Sequence, residues 1–156
     1  MRWVRPEGLH LTLKFFGEVE DIKIGLIKQA MDITASFIEA FSLEYGGFGV
    51  FPSPNKARVI WTGLSEGASE VTKLAEELED NLSGKGFTPE KRLYHPHLTL
   101  GRLRYALPEN VIRMIIEEES SFRSSAKAIG GLILFESRLF KQGAVYTPLY
   151  EASFKK

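Results

Sequence analysis

Two helices stand out in the alternation of apolar and polar positions. Over residues 21–40, Ile24, Ile27, Met31, Thr34 and Ile38 recur at close to helical spacing, and Asp21 is placed to cap the N-terminus. Over 68–82 the stripe is cleaner. Val71, Leu74, Ala75, Leu78 and Leu82 share one face, and Glu70, Glu76, Glu77 and Glu79 cover the other. Gly84 and Gly86 end it. Pro108 suits the first turn of a third, short helix that runs to about Glu118.

The remaining apolar positions follow the period of strands. Residues 2–5 predict a short strand, and Pro6-Glu7-Gly8 a turn. Residues 9–16 predict a strand that stops at Gly17. Residues 41–45 alternate, are interrupted by Gly46-Gly47, and continue through 48–51 past a bulge. After the turn at 52–55, the run 58–64 completes a hairpin. Strands are also predicted at 94–105, 127–135 and 145–154, with a turn at Lys141-Gln142-Gly143 before the last. Pro148 assigns the last strand to an edge or a bulge. Helices interleave with hairpins, so the class is α+β and not a doubly wound parallel sheet. No linker or low-complexity segment divides the 156 residues, which predict a single domain over 1–156.

Two of the predicted strands carry the same phrase. His10-Leu11-Thr12-Leu13 lies in one and His97-Leu98-Thr99-Leu100 in the other, and these two histidines are among only three in the chain. On a strand, residues i and i+2 share a face, so His10 and Thr12 point one way and the leucines the other. Were the two copies to lie side by side, two imidazoles and two hydroxyls would converge.

Composition narrows the chemistry. A hydrophobic share of 44% with 26% charged residues is that of a soluble globular chain, and no apolar run approaches a membrane span. The N-terminus shows no secretory h-region. With no cysteine, disulfides, thiolate metal sites and a cysteine nucleophile are excluded, which fits a cytoplasmic protein. Twenty basic residues balance twenty acidic ones, so no global field draws in a long polyanion. Local cations remain near the motifs: Lys14, Arg102 and Arg104. For Lys14 and Arg104 the plain reading is a solvated edge or loop; Arg102, on the run of the second motif, is better placed.

Paired imidazoles titrate near neutrality and suit in-line displacement at phosphorus, which needs a base on one side and an acid on the other. Threonine hydroxyls can donate to the non-bridging oxygens. A metal reading through His10, His95 and His97 is weak, because no Cys and no His-Glu-x-x-His word supports it. His95 reads as a surface or supporting residue. A single His-x-Thr is an ordinary strand sequence; the doubled phrase makes function as plausible as structure.

Several stretches together resemble the two-histidine phosphoesterase superfamily, and within it the bacterial and archaeal RNA 2′,3′-cyclic phosphodiesterase branch, also called 2′-5′ RNA ligases (LigT-like). They are residues 2–18 around the first motif, Phe48-Gly49-Val50-Phe51-Pro52, Arg58-Val59-Ile60-Trp61, residues 96–102 around the second, 134–139, and Gly143-Ala144-Val145-Tyr146. The resemblance spans essentially the whole chain. It implies a bilobal, pseudo-symmetric α+β fold, with two mainly antiparallel sheets facing a central cleft and helices outside. It implies metal-independent, cofactor-free hydrolysis of a 2′,3′-cyclic phosphate to a 2′-phosphate, with weak reverse ligation as an accompaniment. His10 and His97 match the catalytic pair, Thr12 and Thr99 the phosphate-gripping residues, and Arg102 a basic residue that contacts phosphate or nucleotide. Which histidine is acid and which base stays open. The partners implied are RNA 3′ ends or small cyclic nucleotides. A second reading is a nucleotide- or RNA-end-binding module with little turnover.

The resemblance also implies a strand and helix ahead of the Arg2-Trp3 segment. Without them the expectation is an exposed sheet edge, and with it either a destabilised domain or an edge filled by a partner chain.

Overall fold

A computed structural model describes residues 1–141 and 143–155. The chain is α+β. Its order is β1 (Arg2–Trp3), α1 (Asp21–Phe37), β2 (Phe41–Phe51), β3 (Val59–Glu66), α2 (Ala68–Ser83), β4 (Leu98–Arg102), α3 (Glu109–Glu118), β5 (Lys127–Ile129), β6 (Gly131–Phe140) and β7 (Gly143–Ser153). The strands form one five-stranded sheet, ordered β1-β4-β3-β2-β5, and one two-stranded sheet, β6-β7.

The chain divides into two compact units. The first is assembled from Met1–Thr12, Ser42–Ala68 and Pro96–Lys127, the second from Leu13–Phe41, Ser69–His95 and Ala128–Lys156. In the first unit, β4 pairs antiparallel with β1 on one side and β3 on the other, and β3 with β2. One face of this sheet is apolar. Ile60 and Leu98 are buried there, Val50 sits on it, and Ile112 and Ile116 of α3 cover part of it. In the second unit, α1 and α2 close over the β6-β7 ladder. Ile27, Ala30 and Met31 of α1 meet Leu74, Leu78 and Leu82 of α2, together with Leu132, Ala152 and Phe154. Leu82 and Ala30 are completely buried. Asn81 donates to the buried Thr34 hydroxyl at 3.0 Å, which satisfies a polar group inside this helix pair.

The two long helices fall where their stripes predict. The first stops at Phe37, three residues short of its predicted end, because Ile38 is extended. The bulge at Gly46-Gly47 is present: the β2-β3 register slips between Gly46 and Phe48, and Gly47 has φ +66°. The β6-β7 register slips opposite Pro148, between Leu134 and Phe135, so that strand does carry a bulge.

Three strand expectations are corrected. Residues 9–16 are not a strand. Only Leu11 forms an isolated antiparallel bridge, to Leu98. The physical reason lies one residue on: Thr12 ends its contribution to the first unit, while Leu13 and Phe16 pack on the core of the second. Side chains drawn to two different cores cannot keep one ladder going. The second motif strand shrinks from 94–105 to Leu98–Arg102, since Pro96 has no N–H to donate. The predicted 127–135 strand is cut at Gly130 into β5 and β6, which belong to different sheets. The turn predicted at 141–143 includes Gln142, which lies outside the described residues.

Candidate active site

The antiparallel Leu11–Leu98 bridge decides how the two motifs meet. In such a pair, residue i−1 faces j+1. His10 therefore lies across from Thr99, and Thr12 across from His97. Leu98 points to the core, so both His-x-Thr pairs project from the opposite face. The two histidines then occupy diagonal positions on that face.

Local contacts orient each ring. His10 Nδ1 is 2.8 Å from the Gly8 carbonyl oxygen. A carbonyl only accepts, so Nδ1 carries the hydrogen, and a neutral His10 has its lone pair on Nε2. His97 meets Phe51 edge-to-face, with ring centroids 4.9 Å apart, and Trp61 at 6.1 Å. Phe51 and Trp61 lie 5.1 Å from each other. The sheet register places them: Trp61 pairs with Gly49 on one side and Thr99 on the other, and Phe51 is two residues from Gly49. Gly49 has a definite purpose here. A Cβ on it would collide with the Trp61 indole. The missing side chain is what lets the indole lie across β2 beside His97.

Arg102 reaches the same face by a device that counting cannot foresee. By strict alternation, residues 97 and 99 share one face and 102 takes the other. The β3-β4 register, however, slips between Ile60 and Trp61: Trp61 pairs with Thr99, and Ile60 with Gly101. Leu100 is the extra residue of a bulge. Ile60 and Gly101 are on the buried side, so Val59 and its partner Arg102 return to the face of Trp61, Thr99 and His97. His10, His97 and Thr99 are half-buried; Thr12 and Arg102 are exposed. The first unit thus brings together all five predicted site residues.

Each of the other candidates has its own setting. Lys14 belongs to the second unit, where its ammonium donates to Glu79 Oε1 at 2.7 Å and to the Thr88 carbonyl at 3.0 Å. The same Glu79 oxygen accepts from the Glu90 N–H at 2.8 Å, so this ion pair ties down the loop after α2. Lys14 is a partly buried structural cation and not the solvated one its sequence suggested. Arg104 is exposed, beyond the end of β4, and His95 is exposed in the second unit. Among the described residues no three His, Cys, Asp or Glu side chains come together as a metal site. Sequence reasoning missed Phe51, Trp61 and Gly49 as supports of His97. Only the pairing of β2 with β3, a non-local fact, reveals them.

Comparisons with known proteins show the family. The model of the LigT like phosphoesterase family matches residues 1–61 and 63–146. The chain belongs to that family. An RNA 2′,3′-cyclic phosphodiesterase of Aeropyrum pernix is 34% identical over 97% of the chain and 85% of its own length. One of Thermotoga maritima is 35% identical over 98% and 79%. Among solved structures, Escherichia coli LigT complexed with 3′-AMP superposes with a TM-score of 0.76 at 25% identity, covering 99% of this chain and 82% of that one. A Thermus thermophilus protein superposes with a TM-score of 0.81 at 24% identity, covering 98% and 81%. The α+β class, with its two antiparallel sheets, is therefore the class of the family. Among the described residues no helix is long and apolar enough to cross a membrane.

Proposed function

We propose that this phosphoesterase opens the 2′,3′-cyclic phosphate at the end of an RNA, or of a small nucleotide, to leave a 2′-phosphate, and that it does so in the cytoplasm without a metal ion. The observation that carries the reading is the Leu11–Leu98 bridge, which sets two His-x-Thr pairs on one sheet face. The relatives' names supply the substrate class.

One histidine takes a proton from water as its oxygen attacks phosphorus. The P–O3′ bond breaks, and the other histidine delivers a proton to the departing O3′. Thr12 and Thr99 donate to the non-bridging oxygens as negative charge builds on them, and Arg102 contacts a phosphate or the nucleotide. With the 5′-hydroxyl of a second RNA end in place of water as the nucleophile, a P–O5′ bond forms as P–O3′ breaks, and the same groups account for weak 2′-5′ ligation. The residues 1–156 act as one catalytic domain.

The test is turnover of a 2′,3′-cyclic mononucleotide and of an oligonucleotide with that end, in EDTA. Formation of a 2′-phosphate supports the proposal. A 3′-phosphate product, or turnover that EDTA abolishes, overturns it. Folded protein that binds the oligonucleotide but does not turn over would establish the binding-module reading instead.

We also propose that a second copy of the chain pairs along an open sheet edge. β6-β7 is a two-stranded ladder whose far end exposes Leu139, Phe140 and Val145. A second copy pairing along it would sediment as a dimer at micromolar concentration; a monomer at all concentrations removes the idea.

A further inference from the structure

We propose that Arg2 forms, with Arg102, a subsite for a second phosphate, so that the site is built for an RNA chain and not only for its terminal nucleotide. This rests on the function proposed above and adds a specificity residue to it.

β1 consists of two residues, and its register is explicit: Arg2 pairs with Arg102, and Trp3 with Gly101. Gly101 is on the buried side, where a Cβ would crowd Trp3. Arg2 therefore shares the opposite face with Arg102, the face of Thr99 and His97. Directly opposed residues of an antiparallel pair have Cβ atoms about 4.5–5.5 Å apart, and like charges in that position repel. Among the described residues no carboxylate lies within ion-pairing distance of either guanidinium, while Lys14, Lys23, Arg113 and Arg138 all have acidic partners. Both arginines are exposed. Two opposed, unneutralised guanidiniums at a reactive face form a receptor for an anion, and paired N–H donors match the geometry of a phosphate.

Their position says which phosphate. A strand rises about 3.3 Å per residue, so Arg102 stands at most about 10 Å along β4 from Thr99. Thr99 holds the cyclic phosphate in the proposed mechanism. The Arg2–Arg102 pair lies one step beyond it, where the next phosphodiester of an RNA strand would pass. A cyclic mononucleotide has only one phosphate and cannot fill both places. Arg2 also faces solvent from a terminal edge strand, a poor place for a residue kept only for packing.

The experiment compares two substrates in Arg2→Ala and Arg2→Gln: a 2′,3′-cyclic mononucleotide and a short oligoribonucleotide with the same end. Loss of one charge-assisted contact to phosphate should lower the ratio of kcat/KM, oligonucleotide over mononucleotide, by about tenfold. The slope of log(kcat/KM) against log salt for the oligonucleotide should flatten by about 0.7. An unchanged ratio overturns the proposal, whether activity is kept on both substrates or lost equally on both. Failure of the functional reading looks different: wild-type protein would then turn over neither substrate. In that case, anisotropy titration with a 2′-phosphate-ended oligonucleotide still decides. Roughly tenfold weaker binding in Arg2→Ala sustains the subsite, and equal binding removes it.

Discussion

The two units divide the work unequally. The second has the larger core, made of two long helices on a hairpin ladder, and no predicted site residue. The first has a small core of Ala57, Ile60, Leu103 and Ile112, and it carries both His-x-Thr pairs. Its sheet uses one face for packing and the other for chemistry. This shows why the motif strands are short and irregular. A bulge at Leu100 and a single bridge at Leu11 cost ladder hydrogen bonds, but they turn Arg102 and hold His10 toward the reactive face. A recess of about 550 Å³ beside Lys14, Phe16 and Phe87 lies in the second unit and is lined by no motif residue.

This contrast can be tested by mutating each unit in turn. The largest effect belongs to the motifs. His10→Ala or His97→Ala should lower kcat/KM by about 10²–10⁴, or roughly 3–5 kcal/mol of barrier, with little change in melting temperature. A loss below tenfold in both would refute the catalytic pair. Leu82→Ala in the second unit should do the opposite. Its side chain is fully buried between the helices. Truncation should cost about 2–5 kcal/mol of stability in urea unfolding while kcat/KM, measured well below the transition, stays put.

Gly49→Ala blurs the division, because it strikes the one place where packing and chemistry share residues. The new methyl must displace the Trp61 indole that abuts His97. We expect about 1–3 kcal/mol of lost stability together with a fall in kcat, seen by unfolding and steady-state kinetics on the same preparation. A stability loss with unchanged kcat would show that Trp61 does not position His97.

The smallest effect concerns pH and lies wholly in the second unit. Tyr150 donates to Asp32 Oδ1 at 2.7 Å. The hydrogen bond, helped by a little desolvation and the nearby carboxylate charge, raises the phenol above its ordinary value of 10.0. A group whose pKa is raised on folding stabilises the fold below its unfolded pKa, and that contribution is lost as pH climbs through the folded value. Wild type should therefore melt slightly above Tyr150→Phe at pH 8, and the gap should close on the alkaline side of 10. A gap independent of pH would assign the effect to packing, for instance to Lys28 over the ring.

What could be read from the chain alone follows a simple divide. Helices are local: α1 and α2 are set by side chains three and four apart, so their stripes located them to within a few residues. The reactive groups were legible for a different reason, since two copies of His-Leu-Thr-Leu are visible without knowing what pairs with what. The Gly46-Gly47 bulge was legible too, because two glycines announce it. Everything that depended on a distant partner was not. Alternation along 97–102 puts Arg102 on the wrong face, and only the slip of β4 against β3 corrects it. Leu13 and Phe16 look like a continuation of Leu11 until they join another core. Residues 127–135 look like one strand until the two sides of Gly130 enter different sheets. A strand's face is fixed by hydrogen bonds to residues far away in the chain, and one inserted residue reverses it. The chemistry of this protein was therefore determined by its sequence, while its aim was decided by tertiary pairing.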